Sequence, residues 1–254
     1  MFGIFVRYCR YKAKISGQRK RFAALKPKKG KRSLSCIRID TGSATAHLSS
    51  QFGSISKAGM ANGAPLYRRR WAESSKKKEG VDLRVVQFNV LADGLSGRDT
   101  KLGGFDSAPK GSLKWEARRE RLVEELFRHP GREPDVICLE EVDHFDDWFR
   151  PQLTKRGYRG FFVKKPKSPC LKTAPGSGLE DGCALFCREA TVSVVCVETM
   201  HYNSSNQVAL LATVRVPGSS SFIVACTHLV ARKTAEGEAQ RKKQVCELME
   251  RQDT

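Results

Sequence analysis

The first 80 residues show no sustained period of apolar positions, and the texture changes abruptly at Val81. Leu83 to Leu91 (LRVVQFNVL) is a β-branched and apolar run followed by polar Asp93 and Gly94, with Asn89 near its end. It reads as a buried strand feeding a loop. Ser112 is placed to cap a helix from Leu113 to about His129, with Trp115, Leu122, Val123, Leu126 and Phe127 on its apolar side; Pro130-Gly131 and Pro134 close it. Asp135 to Leu139 predicts a second buried strand, and a helix from about Asp143 to Lys155 follows before Gly157. Strand, helix, strand, helix favours a parallel start to an α/β fold.

The spacing then shifts. Arg159 to Val163, Gly182 to Cys187, Val192 to Glu198, Gln207 to Val216 and Phe222 to His228 are strand-like, and Pro217-Gly218 suits a hairpin between the last two. A last helix is expected over Glu236 to Arg251, and no internal repeat is evident. The chain thus divides into an extension, 1–80, and a folded part, 81–254.

Charge sharpens that division. The formal net charge of +19 would by itself suggest nucleic acid or an anionic surface as partner. Yet residues 1–80 carry 20 Lys and Arg against three carboxylates, whereas 81–254 carry 26 against 24. The folded part is almost neutral. Three readings fit the extension: a mitochondrial presequence begun by MFGIFVRYCRYKAKI, a nuclear address or RNA-touching patch at Lys26 to Arg32, and a solvated tail. The expected location is the mitochondrion or cytoplasm rather than the nucleus. No run approaches the roughly 18 apolar residues of a membrane span.

Nine cysteines, an odd number without a C-x-x-C pair, point to a reduced compartment. Cys183 and Cys187, four apart, fall on one face of a strand, where inert core thiols are expected rather than zinc ligands.

Strands ending in Asn89 and in Glu140-Glu141 would set an amide oxygen and a carboxylate side by side at the carboxyl edge of a sheet, where α/β proteins build sites. Hard oxygen donors suit Mg²⁺ or Mn²⁺. Glu140 and Glu141 point to opposite faces, so at most one coordinates. His228 at a strand end, Lys165, Arg232 and Arg241 add donors suited to a phosphate ester.

Gln87-Phe88-Asn89-Val90-Leu91, Leu113-Lys114-Trp115-Glu116-x-Arg118, Asp135 to His144 (DVICLEEVDH), Asp181 to Phe186 (DGCALF) and Thr227-His228-Leu229 together resemble, in order, the exonuclease-endonuclease-phosphatase superfamily in its deadenylase-like branch. Lys165 to Leu171 (KPKSPCL) is similar to the nocturnin-like subfamily. The resemblance spans Leu83 to about Met249. It implies a four-layer α/β sandwich with two central mixed sheets and a Mg²⁺-dependent phosphoesterase, Mn²⁺ being an alternative. It implies Glu141 as metal ligand, Asn89 orienting phosphate or water, and His228 at the scissile phosphate. Lys165 and Arg232 would grip substrate phosphates, and Asn206 and Arg241 would line the pocket. The implied substrate is NADP(H), losing its 2′-phosphate, with poly(A) RNA shortened from its 3′ end as the alternative; a monomer is expected.

Three positions depart from the pattern: Glu140 stands where the superfamily usually has Gln, Lys167 where the subfamily has Trp, and Val230 where it has a basic residue. The Gly-Asp-Phe-Asn run and late Asp-His pair that supply the water-activating base have no counterpart before Thr254. A truncated product is therefore expected, slowed by roughly 10² to 10⁴, or a non-catalytic fragment that binds partners through its extension. Gln207 to Val216 and Phe222 to His228 are expected to present unpaired edges.

Overall fold

The computed structural model describes residues 83–96, 111–128, 133–172 and 178–251, with Phe105, Ala108, Pro109 and Gly131, and the backbone of 2–8. Apart from that short N-terminal stretch, the readings offered for residues 1–80, including the basic cluster at Lys26 to Arg32, lie outside the described residues.

In chain order the elements are β1 (Phe2–Tyr8), β2 (Val85–Asn89), α1 (Trp115–Leu126), β3 (Val136–Val142), α2 (Arg150–Thr154), β4 (Tyr158–Lys164), β5 (Gly182–Arg188), β6 (Ser193–His201), β7 (Val208–Arg215), β8 (Phe222–His228) and α3 (Ala235–Arg251). They make two four-stranded sheets, ordered β2-β3-β5-β4 and β1-β8-β7-β6. β2 and β3 are parallel and every other pairing is antiparallel.

Alternation along each strand explains the layering. Val136 and Cys138 of β3, with Cys183, Leu185 and Cys187 of β5, face Val208, Leu210, Ala212, Val224 and Cys226 of the second sheet. The opposite faces of the same strands, Ile137, Leu139, Ala184 and Phe186, pack on Trp115, Val123 and Leu126 of α1 and Leu153 of α2. Leu248 of α3 covers Ala209, Leu211 and Ala225 on the far side. The order helix, sheet, sheet, helix is the expected four-layer sandwich. Cys183 and Cys187 are buried free thiols in the inter-sheet core, as their spacing implied, and Cys138 and Cys226 join them there.

Local expectations were altered where backbone chemistry intervened. The helix over 113–129 begins at Trp115; Ser112 Oγ donates to Pro109 O (2.7 Å) and gives α1 no side-chain cap. The helix over 143–155 splits into a π-helical turn, Phe145–Phe149, and the short α2, in which Pro151, lacking an N–H, occupies the first turn. The unpaired edges do not occur. β7 lies between β6 and β8, and the other side of β8 is hydrogen-bonded along its length by β1, from Phe2 opposite His228 to Tyr8 opposite Phe222. A strand carries as many backbone donors on one side as on the other, and residues from the basic extension supply the partner here.

Glu140 is wholly buried; Gln87 Nε2 donates to one carboxyl oxygen (2.6 Å) and the other has no hydrogen-bond partner. Burial pushes its pKa up to about 8. The folded protein then keeps a proton that the unfolded chain releases near the ordinary value of 4.5, so stability falls as pH rises from there to about 8 and is level beyond. Glu140→Gln removes that loss. Urea denaturation should show the variant more stable by about 4 kcal/mol at pH 8, with the gap closing toward pH 4.5. Equal or lower stability of the variant at pH 8 would mean that the buried carboxyl is not strained.

Candidate functional site

The two sheets end together at one edge of the sandwich, and the candidate residues gather there. Asn89 closes β2 and Glu141 is the penultimate residue of β3. The register of β3 against β5 slips between Glu140 and Val142, and Glu141 takes a φ of 56°. This left-handed bulge takes Glu141 out of strand alternation. Val142 can then pair with Gly182, where any Cβ would collide with the Val163 carbonyl, so only glycine admits the crossing.

His228, ending β8, brings the second sheet to the same place. Its Nδ1 stands 3.6 Å from Glu141 Oε1, close but beyond a good hydrogen bond. Burial, then the positive charge of Lys165, lowers its pKa to about 4, so the ring is neutral at physiological pH. Glu141 is pushed upward, first by burial; a hydrogen bond from Asn89 and the charge of Lys165 oppose the shift, and Asp181 and Asp143 add to it. Lys165 follows β4; it is buried, and its Nζ donates to Asp181 Oδ2 at 2.6 Å. Asn89, Glu141, His228 and Lys165 therefore form one electrostatic group drawn from both sheets.

The other predicted residues take different places. Asn206 is exposed, and its Nδ2 donates to Lys167 O (3.1 Å), bridging two loops. Arg232 is exposed on the loop after β8. Arg241 is occupied: Nη1 donates to Val230 O (2.9 Å) and Arg232 O (2.7 Å), while Nε and Nη2 donate to Glu238. It clamps the loop that presents Arg232.

Sequence reasoning left out several supports. Arg118 donates to Val90 O (3.0 Å), Leu91 O (2.8 Å) and Leu113 O (3.0 Å), fixing the loop after Asn89. Asn89 Oδ1 accepts from Leu91 N (2.9 Å) in the same turn. Asp143 accepts from Gly94 N (3.1 Å), and Gly94 lies so near Cys170 that a Cβ there would be 2.6 Å from the Cys170 Cβ. Asp143, Arg118 and Asp181 all lie within the quoted motifs, but their partners are distant in sequence.

A hard cation fits at Glu141. Its side chain retains 15% exposure, whereas Glu140 is sealed and held by Gln87. Asn89 and Lys165 favour the ionised form of this carboxyl against burial, and an ionised carboxylate could serve as one oxygen ligand of a divalent ion. Among the described residues no group of three or more His, Cys, Asp or Glu is arranged to hold a metal, so water would complete the coordination, as Mg²⁺ commonly allows. No described helix is long and apolar enough to cross a membrane.

Residues 86–252 match the Endonuclease/Exonuclease/phosphatase family. The chain is 38% identical over 174 residues to human nocturnin, covering 66% of this chain and 38% of that protein. It is 33% identical over 106 residues to the Ccr4 3'-5'-exoribonuclease subunit of the CCR4-Not complex from Neurospora crassa, covering 41% of this chain and 12% of the relative. Among solved structures, the human nocturnin catalytic domain with bound sulfate anion superposes with a TM-score of 0.54 at 36% identity, covering 66% of this chain and 56% of that one.

The burial of His228 is directly measurable. In metal-free protein, the His228 ring proton resonance should titrate by NMR with a midpoint near 4; a midpoint at or above the ordinary value of 6.5 would place the ring in water or against an uncompensated carboxylate.

Proposed function

The chain belongs to the endonuclease/exonuclease/phosphatase family, and from that premise we propose that it is a metal-dependent phosphoesterase removing the 2′-phosphate of NADP(H). The observation that carries this reading is the 3.6 Å approach of His228 to Glu141 where the two sheets end, with the buried Lys165 ammonium close enough to act on both. One carboxylate, one neutral imidazole and one fixed cation suit an ester that is anionic throughout its reaction.

Mg²⁺ or Mn²⁺ bound through Glu141 would polarise a phosphoryl oxygen and offset charge as it develops. Asn89 holds Glu141 for that task. Neutral His228 would donate a ring N–H to one phosphoryl oxygen, and Lys165 would grip another through a charge-assisted bond. Arg232 and Asn206, on exposed loops, would contact the rest of the dinucleotide, with Arg241 acting through the loop it clamps. In the hydrolysis the oxygen of water bonds to phosphorus, the bond from phosphorus to the ribose 2′ oxygen breaks, and that oxygen leaves with a proton.

The near-even charge of residues 81–254 supports a small substrate, because RNA binding draws on many Lys and Arg contacts to phosphate. A second reading, a 3′ exoribonuclease acting on poly(A), is favoured by likeness to a relative named for that activity. The chain spans 38% of the length of human nocturnin. A third class of outcome, motivated by the basic composition of residues 1–80, is a non-catalytic role in binding partners.

Incubation with NADPH and Mg²⁺ should release inorganic phosphate, and Glu141→Ala should reduce the rate at least about 100-fold. Shortening of an adenylated oligonucleotide without phosphate release from NADPH would transfer the assignment to the exoribonuclease. Failure of both assays, with Glu141→Ala indistinguishable from the parent, would leave a binding fragment.

A further inference from the structure

Lys165 is useful to a phosphate only if its ammonium stays in one place, and a lysine side chain does not do this unaided. It carries a compact charge on a four-carbon stem with many rotamers. It also has a competing attraction: the carboxylate of Glu141 feels its charge. An ammonium that collapsed onto Glu141 would be lost to substrate and would block the oxygen offered to a cation.

The surroundings of Lys165 prevent both outcomes. Asp181, wholly buried, accepts from Lys165 Nζ at 2.6 Å through Oδ2, and its backbone oxygen accepts from Lys165 N at 2.8 Å. Its second carboxyl oxygen, Oδ1, accepts from Ser168 Oγ (2.5 Å) and from Cys170 Sγ (3.6 Å). Ser168 Oγ in turn accepts from Asp181 N (3.0 Å) and Cys170 N (3.2 Å), so its one donor and both lone pairs are used. Every polar atom of Asp181 is thereby tied to the segment 165–170, and the carboxylate has no freedom to follow the ammonium. A buried ion pair contributes little net stability compared with apolar packing. Sealing one beside the candidate site, with one partner locked from three directions, is better explained by where it holds the other.

We propose that Asp181 is a positioning residue that holds the Lys165 ammonium off Glu141 and aimed at a substrate phosphoryl oxygen, with Ser168 fixing its carboxylate. The inference rests on the phosphoesterase reading above for the identity of the ligand. Asp181 uses one of the three ammonium donors and leaves two to meet phosphate oxygens. Pairing also offsets part of the lysine charge, so a divalent ion at Glu141 meets less repulsion than a bare ammonium would exert.

The test uses the full chain with excess Mg²⁺ and inorganic phosphate as the probe, binding being measured by calorimetry. Lys165→Ala and Asp181→Asn should each weaken phosphate by about tenfold, and the double variant should be no weaker than either single, because both remove one unit. Ser168→Ala, which frees the carboxylate without removing it, should fall between Asp181→Asn and the parent and guards against a fold defect in the former. With NADPH, Asp181→Asn should raise KM by more than it lowers kcat. Additive losses, or parent-like phosphate binding by Asp181→Asn while Lys165→Ala has lost it, would overturn the inference, as would a parent protein that binds no phosphate. Coupled losses in binding without phosphate release from NADPH would support the inference and sink the substrate assignment instead.

Discussion

Glu141 stands at the end of β3 with its backbone in the left-handed region, a conformation that a non-glycine residue holds only under constraint and at about 1 to 3 kcal/mol. The constraint is visible on both sides. Upstream, Val136 to Glu140 are locked into pairing with β2 and β5; downstream, Val142 must re-enter the ladder opposite Gly182. The extra residue has nowhere to go except out of the pleat. Its carboxylate leaves the strand's alternation and approaches His228 of the other sheet. The rest of the site depends on this slip.

Two adjacent carboxylates consequently acquire opposite characters. Glu140 points into the protein, is sealed from water, and stays protonated to about pH 8 with Gln87 as its hydrogen-bond donor. Glu141 keeps a path to solvent and is surrounded by groups that pull on its charge in both directions. Burial raises the pKa of both, but only at Glu141 does a cation, Lys165, oppose the rise. His228 is tuned by the same burial, in the direction that removes its charge.

Between the sheets the thiols serve packing. Cys226 lies over Leu139 O at 3.6 Å and Ala184 O at 3.4 Å, so a side chain from one sheet touches the backbone of the other. Small, polarizable and weakly polar, cysteine fills an inter-sheet gap without requiring a strong partner. That tight layer holds the ends of β3 and β8 in fixed relation, which is why residues 87 positions apart in sequence, Glu141 and His228, meet at a defined distance.

The apolar periods in the sequence located every element of the two sheets beyond β1, and motif likeness selected Asn89, Glu141, His228 and Lys165, which the fold draws into one group. Periodicity suffices there because burial of one face is a local property, repeated every second residue in a strand. It was insufficient where the partner lies far along the chain. β1 sits in a stretch whose charge argued for a tail, yet its backbone pairs with β8. Arg241 carried the chemistry of a phosphate ligand, yet carbonyls of the loop at Val230 and Arg232 occupy it. Asp181 has no periodic signature, since its importance comes from Lys165 and Ser168, residues brought to it only when β4 and β5 pair. Sequence determined which side chains are available and which faces they bury; tertiary structure decided which of them touch, because hydrogen bonds and charge act over a few ångströms of space whatever the distance along the chain.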